Sequence, residues 1–195
     1  MNNWQIWFST GIEHILDLNG YDHMLFIGLL TLAYPVTEWK KLLWLVTAFT
    51  IGHSLTLALS ITNVINVHQK YTELLIILTI IFTAFYLLFT SKNPTKGGRV
   101  IYIIICSFGL IHGLGFSYLL KAMLGHSESI LVPLLMFNLG LEIGQIVVII
   151  LMVLVLLLIG KYVKPIERTL RLSCISIILA VSFFLCYSRI LNLFQ

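Results

Sequence analysis

Charge is what this chain has least of. Of its 195 residues only 10% are Asp, Glu, Lys or Arg, while 59% are hydrophobic, and the mean hydropathy is +1.00. That balance excludes an ordinary soluble domain, in which about 25% of residues are charged. No Lys or Arg precedes Lys40, so the basic start of a cleaved secretory signal is missing and the first apolar segment is expected to be retained. Cysteine is confined to Cys106, Cys174 and Cys186, each inside an apolar run and none in a CxxC pair, which argues against a disulfide framework and a dithiol or zinc motif. There is no phosphate-cradling GxxxxGKS/T loop, no GxSxG or HExxH, and no basic patch interleaved with aromatics, so ATP-driven chemistry within this chain and a nucleic-acid partner are not expected.

What is present is length in apolar runs. A helix crossing a hydrocarbon core of about 30 Å needs about 20 apolar residues. Six runs qualify: an irregular first one from Ser9 to Tyr34, then Leu42 to Ile61, Thr72 to Thr90, Val100 to Leu120, Ile130 to Gly160 and Leu172 to Leu193. Connectors such as "SKNPTKGGR" and "KYVKPIERTLR" end the helices with Pro, Gly and charge. The expectation is an all-α, polytopic transmembrane bundle of about six spans, one integral membrane domain over residues 1–195, with the lipid bilayer as its first partner. Nine of the twelve Lys and Arg fall after spans one, three and five and three on the other side, which predicts both termini outside the cytoplasm.

Against this background the ionisable residues inside the spans stand out, because each costs roughly 2.5–3.5 kcal/mol near a bilayer centre on insertion scales. Asp22 and His23 lie in span one, His53 in span two, His112 in span four and Glu142 in span five. Counted from the Lys- and Arg-rich ends of their spans, Asp22, His23, His53 and His112 all lie roughly 18–20 Å deep. Glu142, on a long span that must tilt or overshoot, can reach the same layer. Asn138, Glu142 and Gln145 recur at i, i+4 and i+7 on one helical face, and Thr50 and Ser54 stand beside His53, where a hydroxyl can orient the imidazole. Gly109 and Gly113, like Gly140 and Gly144, have the spacing that lets helix backbones approach. A single intramembrane His is as often an interhelical hydrogen-bond post as a ligand. Carboxylates at depth with no Lys or Arg beside them ask for a metal ion or a proton, and His with carboxylate suits Ni, Co, Zn, Fe or Cu(II). His68 and His126 read as loop residues.

The segment "GIEHILDLNGYDHMLF" concentrates the pattern. Glu13 and Asp17 form a like-charge i, i+4 pair beside His14, and Asn19-Gly20 interrupts the helix, so the first span is expected to be broken, with an acidic outer piece that gathers cations and an inner piece that begins at Tyr21. An ordinary acidic cap on a helix N-terminus is the competing account. "GIEH" at residue 11 is echoed by "GLIH" at 109, and "FTIGHS" at 49 by "FNLGLE" at 137, as in a 3+3 inverted repeat; the offsets, 98 and 88 residues, differ, and chance is the competing account.

These residues resemble the HupE/UreJ family of bacterial membrane proteins. The pieces that carry the likeness are Gly11, His14, Ile15 to Gly20, Asp22-His23 and Leu25-Phe26, then "FTIGHSLTL", "GLIHGLGFS" and "FNLGLEIGQ", in family order over most of the chain. The resemblance implies a small permease of the cytoplasmic membrane for a divalent metal, nickel or cobalt, with His14, Asp22, His23 and His112 handling the ion. The family's first-helix motif is commonly written with a shorter spacing than the seven residues that separate His14 from Asp22 here.

The leading expectation is therefore a metal permease with a midplane site of His14, Asp22, His23, His53, His112 and Glu142, reached past Glu13, Asp17, Asn138 and Gln145, its divalent transition metal being cargo or bound ion. Two alternatives stand beside it: an intramembrane metal-dependent enzyme acting on a lipid or membrane-anchored substrate, and a non-catalytic assembly partner with a polar core.

Overall fold

The computed structural model describes residues 3–17, 20–34, 36–90, 98–124, 129–162 and 167–193. Asn19 of the expected break, His126 and most of the two charged connectors lie outside them. Seven α-helices occur among the described residues: α1 (Asn3–Leu16), α2 (Tyr21–Ala33), α3 (Trp39–Ile61), α4 (Gln69–Thr90), α5 (Gly98–Leu124), α6 (Leu131–Tyr162) and α7 (Glu167–Leu193), with one 3₁₀ turn at Val36–Glu38 before α3. The helices α3 to α7 are each long and apolar enough to cross a membrane, and match the five later runs to within a few residues at most ends. The first run is divided, as the Asn19-Gly20 pair predicts. Helices satisfy their backbone groups internally, which is why an apolar chain can adopt this form in lipid.

Glycine sets the packing. A Cβ on Gly109 would lie 2.1 Å from the Phe49 carbonyl oxygen, and one on Gly52 2.3 Å from that of Cys106, so α3 and α5 touch backbone to backbone. The same contact recurs between α1 and α6: a Cβ on Gly11 would lie 2.1 Å from the Phe137 oxygen, and one on Gly140 2.1 Å from that of Phe8. In both pairs the helix of the "GxxH" echo crosses the helix of the "FxxG" echo at matching residues. Contacts advance in step along each pair, so its helices run parallel. Between the pairs, His53 meets Asn138 while Thr50 meets Gln145, so α3 and α6 are antiparallel. It follows that α1 and α5 are inverted relative to each other, and each echo packs its first helix on the second helix of the other.

The helix α2 continues alongside α6, where Thr31 Oγ1 is 3.6 Å from Met152 Sδ, and packs antiparallel on α7 through Gly28, which faces Ile178. Arg171 donates to the Ala33 carbonyl at one end of this contact, and Arg189 to Tyr21 Oη at 3.3 Å at the other. The third elements of the two echoes, α4 and α7, pack on each other and are joined at their ends by Arg189–Glu73 at 2.7 Å and by Lys70 Nζ on the Asn192 carbonyl. After α3 the chain reverses through Asn63 at φ 60, a left-handed residue that asparagine tolerates, and Lys121 donates to Asn63 Oδ1 and Asn66 Oδ1. His68 is exposed in this connection, as its sequence context suggests. The three cysteines are free thiols.

Candidate functional site

The break between α1 and α2 brings two helix ends to one level. His14 stands in the last turn of α1 and Asp22-His23 in the first turn of α2, with their ring centroids 4.5 Å apart. The placement of Asp22 agrees with the helix dipole, which favours a carboxylate at an N-terminus. Gly20 makes the turn close: a Cβ there would sit 3.4 Å from His23 Nδ1 and 3.3 Å from the Asp17 carbonyl. The long spacing between His14 and Asp22 is thus taken up by the turn, and His14 still reaches His23.

Asp22 is the centre of the charge. Its Oδ1 lies 3.2 Å from His23 Nδ1 and its Oδ2 3.5 Å from His112 Nε2; among the described residues these histidines, and no Lys or Arg, are its ionic partners. One ligand atom each from Asp22, His23 and His112 falls within 4.8 Å of the others, close enough to share an ion. The rings of His23 and His112 are 4.4 Å apart, and His14 and His53 are 6.3 Å apart, so four imidazoles from α1, α2, α3 and α5 adjoin.

The hydrogen bonds assign their nitrogens. His23 Nδ1 faces two acceptors, Asp22 Oδ1 and the Gly20 carbonyl at 3.3 Å, so that nitrogen carries the proton and Nε2 keeps its lone pair. Asn138 Nδ2 donates to the Leu134 carbonyl at 2.7 Å, which turns Oδ1 toward His53 Nδ1 at 3.3 Å and leaves that Nε2 as an acceptor also. An imidazole that donates one N–H to an oxygen and presents the other nitrogen is the arrangement of a metal ligand with its supporting partner. The Nε2 atoms of His14, His23 and His53 and Nδ1 of His112 are all buried without a hydrogen-bond partner. An unmet buried polar atom costs about 1–3 kcal/mol, so four in one place are a concentrated cost that the protein's own described hydrogen bonds leave unanswered.

Around the group the chemistry divides sharply. On one side an open cavity of about 460 Å³ is lined by Thr10, Glu13, His14, Asp17, Phe116 and Leu119. Here the exposed carboxylates of Glu13 and Asp17 lie before His14, whose ring rests 4.0 Å from that of Phe116. On the other side are Phe26, Phe49 and Phe108, at most 1% exposed, their centroids 4.1 to 5.5 Å apart. Each stands one turn from His23, His53 or His112 in the same direction, so together they form an apolar floor. Sequence reasoning passed over these three and Phe116. The signal was there, a Phe three or four residues from each intramembrane His.

Other expected site residues lie apart from the Asp22 group. Glu142 accepts from Thr47 Oγ1 at 2.6 Å, and Gln145 from Thr50 Oγ1 at 3.2 Å; both bind the flank of α3. Thr50 and Ser54 bond backbone carbonyls of their own helix, at Val46 and Thr50, so it is Asn138 that orients His53.

Broken at its first span, with an intramembrane His/carboxylate group under an acidic cavity, this is a polytopic helical membrane protein. The family model described as HupE / UreJ protein matches residues 1–188, and the chain belongs to that family, which is generally associated with nickel and cobalt transport. No curated protein and no solved structure matches it.

Proposed function

We infer that the protein is a permease for a divalent transition metal of the nickel and cobalt class, residing in the cytoplasmic membrane. The observation that carries this reading is the convergence of Asp22, His23 and His112, with His14 and His53 adjoining, on four buried ring nitrogens that lack partners. Nitrogen donors with one carboxylate suit Ni²⁺ and Co²⁺ and leave hard Mg²⁺ or Ca²⁺ poorly served.

The route follows the same geometry. Glu13 and Asp17 concentrate cations in the cavity by their charge. His14, at the boundary between cavity and core, takes the ion from them and passes it to His23 and Asp22, 4.5 Å on between ring centroids. Asp22 compensates one positive charge in a medium where an unpaired ion is costly, and the imidazoles replace the lost water. Phe26, Phe49 and Phe108 close the far side, so release there requires that the helices bearing them move. Such a site with one open side is one half of an alternating-access cycle.

The test is uptake of a panel of divalent ions by proteoliposomes, with His23→Ala alongside. Uptake of nickel or cobalt that the variant loses supports the reading. A variant that takes up metal as the wild type does overturns the assignment of the site.

A further inference from the structure

Glu142 carries a carboxyl that the metal group does not use, and its surroundings are apolar. On α6 it shares a stripe with Leu135 and Leu139, both exposed, whereas Asn138 and Gln145 on its other side are buried. On α3 Thr47 lies in the stripe of Trp44 and Ile51, which are exposed as well. Thr47 Oγ1 donates to Glu142 Oε1 at 2.6 Å, and both residues are partly exposed. At roughly 1.5 Å per residue, Thr47 lies about 12 Å and Glu142 about 16 Å inside the nearer end of its span. The carboxyl therefore stands on the rim of the bundle, at a depth where that rim meets lipid chains and not water.

What would balance a charge there is missing. The helices packed on α6 bring Glu13 and His14 from α1, Asp22 and His23 from α2, and Lys40, Lys41 and His53 from α3. Among the described residues none of these cationic groups lies within ion-pair distance of Glu142. His53 is turned to Asn138, and Asp22 to His23 and His112. Nor do other ligand groups gather at Glu142: the described set close enough to share a metal ion is Asp22, His23 and His112. An ionised carboxylate facing lipid on one hydroxyl bond is costly, and a proton removes its charge where no metal or ammonium group is at hand.

We propose that Glu142 is a proton-binding site, facing lipid at the seam between α3 and α6 and separate from the metal group. Ionised, the carboxylate accepts from Thr47, and 2.6 Å is the length of a charge-assisted O–H···O⁻ bond. Protonated, Glu142 donates its own O–H to Thr47 Oγ1. The Thr47 proton then turns to the Leu43 carbonyl four residues back, the kind of bond that Thr50 and Ser54 make on the same helix. One proton is gained and none is lost, and the bond across the seam falls to about half its strength.

Its position gives it leverage. The glycine crossings tie α3 to α5 and α6 to α1, whereas the seam between α3 and α6 is made by side chains, including Asn138 on His53, one turn from Glu142. Proton uptake at Glu142 loosens this seam between the two pairs. A proton gradient can then act on the carrier here, at a place the metal does not occupy. This last step rests on the permease reading; the proton site itself does not.

The experiment is labelling of the purified full-length protein, in detergent with EDTA, by the apolar reagent dicyclohexylcarbodiimide, read by peptide mass spectrometry over a pH series. The reagent adds to a protonated carboxyl: the proton passes to one carbodiimide nitrogen and the carboxyl oxygen bonds the central carbon. The acyl group then shifts to nitrogen as a stable N-acylurea, with nothing lost. An adduct on Glu142 is expected, falling about tenfold per pH unit once the carboxyl is mostly ionised. A charged, water-soluble carbodiimide should spare Glu142 and label the exposed Glu13 and Asp17. Thr47→Val removes the donor that stabilises the carboxylate, so it should carry about tenfold more adduct than the wild type at the alkaline end. Glu142→Gln should lose the adduct from that peptide alone; if it does not fold, the wild-type series, read at Glu142 itself, decides. No adduct on Glu142 at any pH overturns the proposal. So does an adduct that the charged reagent gives equally, or a Thr47→Val profile identical to that of the wild type. Each of these results leaves the metal reading to its own uptake test, because EDTA removes transition metal throughout.

Discussion

At the scale of single residues, the behaviour of the site follows from which nitrogen each histidine presents. Asp22 both fixes the His23 tautomer, through Nδ1 at 3.2 Å, and supplies the group's negative charge. Asp22→Asn keeps the shape and removes that charge, so we expect nickel or cobalt affinity to fall at least tenfold, with the helical circular dichroism unchanged; isothermal titration calorimetry measures it. Asn138 touches no metal donor directly, but it holds His53 Nδ1, and Asn138→Leu should weaken binding about 10–100-fold, the usual cost of losing a supporting partner. Since imidazole binds metal only when neutral, protons compete with the ion: affinity should rise with pH and level off once the ligands are deprotonated, and binding should release protons into a weakly buffered solution. An affinity that does not change with pH would count against histidine ligation.

At the scale of helices, the decisive quantity is how closely backbones approach. Gly109 and Gly115 lie six residues apart on α5, yet a Cβ at the first would collide with the Phe49 carbonyl at 2.1 Å, and at the second would meet only side-chain methyl groups, Ile76 Cδ1 at 3.1 Å and Thr72 Cγ2 at 3.6 Å. Gly109→Val should therefore cost about 1–3 kcal/mol or more in resistance to thermal unfolding, while Gly115→Ala should be nearly neutral. Helix length and location were plain in the sequence because about 20 apolar residues bounded by charge admit few other structures. The break at Gly20 was also legible, because an Asn-Gly pair favours a turn over a continued helix. What could not be read was direction within a face. The period that puts Asn138, Glu142 and Gln145 on one stripe of α6 does not say that α3 meets that stripe with Thr47 and Thr50, drawing Glu142 away from the Asp22 group. Depth counting placed His53 and His112 at one level, and the structure does bring them near each other, each beside the Phe49 ring at 5.8 and 5.5 Å between centroids. The phenylalanine floor was missed because apolar residues in an apolar helix carry no local contrast.

At the scale of the whole molecule, two echoes whose offsets differ by ten residues proved to meet at equivalent crossings, since connector length changes the offset without changing which helix faces which. The ends of the bundle are held less firmly. Arg189 and Glu73 are both about one-third exposed, and pairs of that kind contribute about 0–1 kcal/mol, so Arg189→Ala should lower stability by no more than that. The distribution of Lys and Arg predicts that both termini face outward, and a membrane-impermeant maleimide checks it. In a variant with Cys106, Cys174 and Cys186 replaced by Ala, Val64→Cys, at an exposed position after α3, should label on intact cells, and Thr37→Cys, at the opposite end, only after the membrane is opened.

The paired glycine crossings also bear on how the chain is made. During synthesis α1 emerges first, but the surface its Gly11 face fits, Phe137 to Gly144 on α6, is produced more than 120 residues later. Between those moments α3 and α5 can join, whereas the acidic first helix must wait at the membrane unpaired. Nascent chains arrested before α6 should accordingly expose α1 to protease and full-length chains should not, which makes completion of the fifth apolar run the step that commits the protein to its final form.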